Sequence, residues 1–393
     1  MRDALLLVFK LVESTLNNTV YDEVIKDPLV YQIARENGFS GMVFKSLVKE
    51  KVDLTIYLDF QRDYYQYIER DTLQLQIIEE LNQIFNQEHF KHIFLKGSFL
   101  KSIYPDSYMR SMGDIDVLVE EGKMTDIHAF LKAHDYQLHS EGSTHDVFVK
   151  NSKINIEVHP AIDKHFDERS LGVFKSVWDK VLLIDDYNYQ FLPELQLIYL
   201  MSHLVKHLKS SGIGLRQVLD IGLYYQRVDK IINHESFNQM LETTQLQRFL
   251  SVILWLNQRW FNLVFIQPIS NEEFDDNFYQ EITEFFSQSG IHGKGKEFNR
   301  TLPNLINQSL GKKGSKGSKI RYLFKVAFPK IEDMKGSKKY LNRYPILLPY
   351  AWLTRILYLI FRKGKRTKTK LKNMSVSNEI IDKNAQLYKK MGL

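Results

Sequence analysis

Cysteine is absent from all 393 residues, which rules out disulfides and thiolate-bound zinc and fits a reducing compartment. No run reaches the roughly 20 uninterrupted apolar residues that a membrane-spanning helix requires. The opening Met-Arg-Asp-Ala-Leu-Leu-Leu-Val-Phe-Lys-Leu-Val-Glu is short, broken by Lys10 and followed by no small-residue cleavage site. It reads as an amphipathic helix, not a signal peptide. Acidic residues are nearly missing from one stretch: between Gly311 and Lys372 there are 19 Lys and Arg against Glu332 and Asp333. That segment carries +17 of a chain total of +6, leaving −11 for the remainder. It implies an anionic partner such as a membrane surface, a nucleic acid or a polyanionic polymer. The expected location is the cytoplasm, membrane-peripheral if the 311–372 segment meets lipid.

An apolar content of 44% with 25% charged residues is that of a globular chain, and the length predicts two or three packed units. Helical spacing dominates up to about residue 86 and is clearest from Leu58 to Glu88. A compact α/β block follows. His92 to Lys96 reads as a strand, Ser98 to Tyr104 as a short helix stopped near Pro105, Ile115 to Val119 as a second strand and Met124 to His134 as a helix. His145–Val149 and Lys153–His159 form a hairpin across Lys150-Asn-Ser, and Tyr189–Leu192 is a short edge strand. Helical spacing returns at Pro193, breaks at Gly212-Ile-Gly214, resumes from Leu215 to Tyr225 and continues to about Phe286. Gly311 to Lys319 is a flexible basic linker. The expected fold class is α+β: a small mixed sheet over 89–192, flanked by helical regions over 1–88 and 193–310, with a basic segment over 311–393.

The chemistry concentrates in Phe94-Leu-Lys-Gly-Ser and Arg110-Ser-Met-Gly-Asp-Ile-Asp-Val-Leu-Val. Asp114 and Asp116 are two apart on a strand and so share a face. Side-by-side carboxylates repel unless a cation sits between them, and Mg²⁺ held this way commonly serves a nucleotide's phosphates. The bland reading is a half-exposed strand with acidic residues alternating against Ile115 and Val117. Gly97 and Ser98 stand where a strand turns into a helix, so free N–H groups can meet a phosphate there; a tight turn is the bland alternative. In Ile154-Asn-Ile-Glu-Val-His159, Glu157 faces away from Ile156 and Val158. On a neighbouring antiparallel strand it would join the two aspartates as a third carboxylate, an arrangement that is costly without metal. Two cations there can stabilise both the attacking and the leaving oxygen of an in-line displacement.

These residues resemble the DNA-polymerase-β-like nucleotidyltransferase superfamily, and within it the bacterial family catalogued as uncharacterised nucleotidyltransferases. Leu95-Lys96-Gly97, Tyr104-Pro105, Arg110 through Asp116 and Glu157-Val-His159 are similar to that family's turn, Tyr-Pro, Arg-x-x-x-Asp-x-Asp and Glu-x-His motifs. His203-Leu-Val-Lys-His207, Leu215-Arg216 with Asp220, and the tail from Tyr322 through Trp352 to Arg355 are similar to its downstream helices. The resemblance implies a nucleotidyltransferase core in which Asp114 and Asp116 ligate two Mg²⁺ ions. Glu157 would ligate the transfer metal and help deprotonate the acceptor, while Gly97 and Ser98 hold the terminal phosphates. An acceptor hydroxyl would attack the α-phosphate of an NTP, releasing pyrophosphate; the acceptor stays unnamed. Asp116→Asn is expected to abolish transfer and leave the fold intact.

Other residues carry two readings each. Lys96 can touch a phosphate or be a solvated strand-end lysine. Arg110 can grip a phosphate through its planar fork or buttress Asp114. His203 and His207 share a helix face but lack a third metal ligand, which favours core or capping roles. Arg216 and Asp220 are spaced to pair with each other. The apolar Tyr344–Phe361 stretch, followed by Arg362-Lys-Gly-Lys-Arg, suits an interfacial helix on anionic lipid, or a helix packed on the helical domain. The functional rival to catalysis is a nucleotide- or anion-binding module of the same fold, membrane-proximal through its basic tail. A kinase-like phosphotransferase ranks lower, because no suitable Gly-rich loop and no His-Arg-Asp or Asp-Phe-Gly string occurs.

Overall fold

The computed structural model describes residues 2–142, 144–150, 154–266, 273–290, 295, 298–299, 301–310, 317–335, 338–361 and 373–393. Three helices open the chain: α1 (Arg2–Leu16), α2 (Pro28–Glu36) and α3 (Leu54–Gln87). Asp53 caps α3, accepting from the Thr55 amide at 2.9 Å. Its 34 residues span about 51 Å, long enough to underlie the whole sheet.

The α/β block then runs β1 (His92–Leu95), α4 (Gly97–Leu100), β2 (Ile115–Val119), α5 (Met124–Ala133), β3 (Gln137–Glu141), β4 (Asp146–Lys150), β5 (Ile154–His159), α6 (Glu168–Val173), β6 (Val181–Asp185) and β7 (Asn188–Phe191). All seven strands form one mixed sheet in the order β3-β4-β5-β2-β1-β7-β6. The expected α+β class with a mixed sheet holds. Several details differ. The expected helix from Ser98 is only α4, continued by a 3-10 turn over Lys101–Ile103. The strand expected at the sheet's edge, β7, lies inside it, between β1 and the outer β6. Neither β3 nor β6 was expected.

Alternation decides the faces of the central strands. Ile115, Val117, Val119, Ile154, Ile156 and Val158 pack against Ile77, Leu81 and Phe85 of α3 and Ile127 and Leu131 of α5. The opposite face carries Ile93, Leu95 and Leu118 into a larger core with the helices that follow. Those are α7 (Pro193–Leu208), α8 (Leu215–Val228), α9 (His234–Thr244), α10 (Gln247–Phe261) and α11 (Asp276–Ser289). Pro193 fits the first turn of α7 because its missing N–H has no helical partner there. Gly212, at φ +91°, provides the break before α8. The helices before and after the sheet share this core: Phe9 of α1 stacks on Trp260 of α10 at 5.4 Å. Buried Lys101 pairs with Asp71, tying α3 to the segment after α4.

The chain ends in α12 (Leu302–Ser309), α13 (Ser318–Ala327), α14 (Ile331–Lys335), α15 (Tyr340–Arg343), α16 (Leu348–Phe361) and α17 (Asn378–Lys390). The expected linker begins outside the described residues, and its last part, from Ser318, is already helix α13. In α16, Ala351 joins Met334 and Leu341 in a small core with α14 and α15, while Leu353 and Leu357 are exposed. No helix among the described residues is long and apolar enough to cross a membrane.

Candidate active site

Two strand pairings assemble the site. The antiparallel β1–β2 ladder sets Leu95 opposite Asp116, which leaves Lys96 beside that aspartate. The β2–β5 ladder sets Asp116 opposite Glu157. This second ladder is parallel, not antiparallel as expected. Between β2 and β5 the chain crosses back through α5 and adds a full β3–β4 hairpin, so β5 re-enters in the direction of β2. The unexpected strand β3 supplies the extra reversal. Glu157 arrives beside the aspartates all the same, because residues directly opposite share a face in either kind of ladder.

Asp114 lies just before β2, half-buried, and its Oδ1 accepts from the Asn155 amide at 3.1 Å. Burial and then the neighbouring Glu157 push its carboxyl above the usual carboxylate range. Asp116 is buried and doubly held. Lys96 Nζ donates to Oδ1 at 2.5 Å, and His159 Nε2 lies 3.0 Å from the same oxygen. Burial alone would raise Asp116, but the Lys96 charge and the His159 hydrogen bond overcome it and hold the carboxylate ionised. Burial likewise opposes charge on Lys96 and His159. Asp116 reverses that on Lys96, and hydrogen bonds to Asp116 and Glu157 reverse it on His159, so both stand above their ordinary values. Lys96 holds this position with a left-handed φ of +50°, a backbone strain of the kind that collects at functional sites.

Gly97 is required by close packing. A Cβ there would sit 2.7 Å from Met112 Cβ. Ser98 turns its hydroxyl to the Met112 sulfur at 3.9 Å and does not line the cleft described below. Arg110 is buried. Its Nε donates to Asp220 Oδ1 at 2.7 Å, and Tyr104 donates to the same oxygen at 2.8 Å. Asp220 therefore pairs with Arg110 and not, as expected, with Arg216, whose Nη1 donates to the Ser111 hydroxyl. Burial and then Arg110 lower the Arg216 guanidinium to about 10. His203 and His207 meet through their Nε2 atoms at 3.0 Å and form part of the cleft wall, not the core.

Sequence reasoning missed His145. The β4–β5 register pairs Asp146 with Val158, so the preceding His145 falls beside His159, with ring centroids 4.8 Å apart. Among the described residues, His145, Glu157 and His159 are the group whose potential ligand atoms converge, all within 4.8 Å of one another. The hairpin recognised in the sequence was the signal that could have found it. Burial lowers His145 despite the nearby Glu157.

Lys96, Gly97, Asp114, Asp116 and Glu157 open onto a cleft of about 1640 Å³, walled by Arg70 of α3, by α7 and by Arg110 and Arg216. The convergent donors His145, Glu157 and His159 fit a divalent cation, with Asp114 nearby as a carboxylate hydrogen-bonded by Asn155, whereas Asp116 is already held by Lys96 and His159. Oxygen donors suit Mg²⁺, while the adjacent imidazoles would also accept a borderline transition ion. A model of the family described as uncharacterised nucleotidyltransferase matches residues 24–262, from before α2 to the end of α10. No curated protein and no solved structure matches the chain.

Proposed function

The chain belongs to the uncharacterised nucleotidyltransferase family, and from that premise we propose that it moves a nucleoside monophosphate from an NTP to an acceptor hydroxyl. Asp114, Asp116 and Glu157 would hold Mg²⁺, two ions in the full form of the proposal. What supports it is the pairing of Asp116 with Glu157 across β2 and β5, with Asp114 just before β2, all three lining one cleft of about 1640 Å³. The acceptor oxygen forms a bond to the α-phosphorus as the bond to the bridging oxygen of the β-phosphate breaks. Pyrophosphate leaves, and Glu157 helps take the acceptor's proton. A bound divalent cation would neutralise charge on the phosphates as that exchange proceeds. Lys96 and Arg110 reach the cleft paired with Asp116 and Asp220, while Arg216 and Arg70, bonded to uncharged oxygens of the 111–113 segment, add positive charge to the wall, a setting that suits a triphosphate. Gly97 lines that end of the cleft. Positioning two reactants on a rigid sheet supplies much of the rate.

A rival reading, nucleotide or anion binding without turnover, draws on one observation: Lys96 already answers Asp116 within the chain. Pyrophosphate release separates the two. Purified protein given NTP, Mg²⁺ and a cell extract as acceptor pool is expected to liberate pyrophosphate, and Glu157→Gln to stop it. NTP binding with no pyrophosphate from any pool would favour the rival. Orthophosphate in its place would point to phosphotransfer.

A further inference from the structure

We propose that the outward face of α16, continued by α13, docks the protein on an anionic lipid bilayer. Among the described residues 28 large apolar side chains are exposed, and 12 of them fall between Ile320 and Phe361. Such concentration is not the scatter normal for a protein surface. Ile346, Tyr350, Leu353, Leu357 and Phe361 follow one another at steps of four, three, four and four, so they form a single stripe along the turn before α16 and the helix itself. The stripe is open: Ile346 is 86% and Phe361 80% exposed.

The opposite side of α16 is occupied. Ala351 is buried, and the Trp352 indole donates to the Pro329 carbonyl at 2.9 Å and packs on Phe328 at 5.4 Å. This anchoring fixes which way the stripe looks. Alongside it, α13 exposes Ile320 and Phe324, widening the apolar surface. Lys339 on Glu141, with Lys164 on the Glu332 carbonyl at 3.4 Å, fastens the segment to the catalytic block.

Charge selects the occupant. The described parts of 317–361 hold nine Lys and Arg against Glu332 and Asp333, and Arg362 to Lys372 adds seven more with no carboxylate. A nucleic acid would match that charge but gains nothing from exposed Ile, Leu and Phe. A second copy of this chain would match the stripe but would bring the same cations face to face. A bilayer with anionic headgroups meets both features: apolar side chains enter the headgroup–acyl boundary while lysines and arginines stay at its surface. The 14 residues of α16 reach about 21 Å, short of a bilayer core of about 30 Å. The helix therefore lies in the membrane plane.

The test is co-sedimentation of the full chain with phosphatidylcholine vesicles, with and without phosphatidylglycerol. Binding is expected to be at least about tenfold stronger with phosphatidylglycerol and to weaken at high salt. Leu353→Glu/Leu357→Glu, at exposed positions that leave the small core untouched, should weaken it by about a hundredfold or more. The melting transition should stay in place. Binding that is equal on both vesicle types overturns the proposal. So does binding unaffected by the double variant. A wild-type dimer that the double variant converts to monomer, without vesicle binding, assigns the face to self-association instead. Salt-sensitive binding to RNA alone, indifferent to the two leucines, assigns the segment to nucleic acid.

Discussion

Replacing Asp116 by Asn should unfold part of what it is meant to test. Asp116 keeps 9% of its side-chain surface exposed and Lys96 keeps 20%, with Nζ 2.5 Å from the carboxylate. The amide retains the shape but removes the charge that holds the ammonium. Lys96 must then remain charged without its partner or give up its proton. At neutral pH the second route costs about 5 kcal/mol, since a lysine at 10.4 lies more than three units above the solution and each unit is 1.36 kcal/mol. Breaking a buried ion pair from one side ordinarily costs about 3–5 kcal/mol, and the open fifth of Lys96 lowers this to about 2–4 kcal/mol. The double variant Asp116→Asn/Lys96→Met removes the stranded charge and should recover most of the loss. Urea denaturation of the three proteins at equal m value measures it. A single variant within about 0.5 kcal/mol of wild type would show that Asp116 does not hold the Lys96 charge in place. So would a double variant no more stable than the single one. The simple expectation from the sequence, an inactive but intact Asp116→Asn, gives way to one in which only the double variant separates folding from chemistry.

Two further outcomes concern the frame around the site. Asp220→Asn leaves the buried Arg110 guanidinium without its 2.7 Å partner beside a second buried arginine, and should cost about 3–5 kcal/mol by chemical denaturation; addition of Arg110→Met should restore part of it. His92 is fully buried, with Nδ1 3.0 Å from the Phe90 carbonyl and Nε2 2.9 Å from the Asn82 side-chain oxygen Oδ1. Burial holds its pKa down at about 4 against an ordinary 6.5. The unfolded chain therefore binds a proton that the folded chain refuses between those values, so stability falls as pH drops through that window, by about 3 kcal/mol in all. Urea midpoints across pH 4 to 6.5 should show a slope that His92→Gln reduces by about one proton; identical slopes would contradict the assignment.

The alternating apolar residues of β2 and β5 made the shared face of Asp116 and Glu157 legible, because a two-residue period against a buried helix leaves no other register. The direction of β5 was not legible. It depends on counting reversals, and β3, Gln137-Leu-His-Ser-Glu, is an exposed edge strand with no apolar alternation to announce it. His145 was hidden by the same gap between local pattern and pairing: a lone histidine before a strand has meaning only once Asp146 is known to face Val158. Arg110, Arg216 and Asp220 were visible as charged residues, but which arginine reaches Asp220 is settled by packing between α8 and the segment after α4, over a separation of 110 residues. In the tail, α16 reads equally well as a core helix or a surface helix, since both of its faces are apolar. Only the position of its neighbours shows which face is covered.

Nucleotidyl transfer is tested by following label from NTP into acceptor, using α-labelled and γ-labelled nucleotide in parallel with wild type and the Asp116→Asn/Lys96→Met variant. Label is expected in the acceptor from the α position alone, in wild type alone. Label from the γ position, or undiminished α transfer by the double variant, would contradict it.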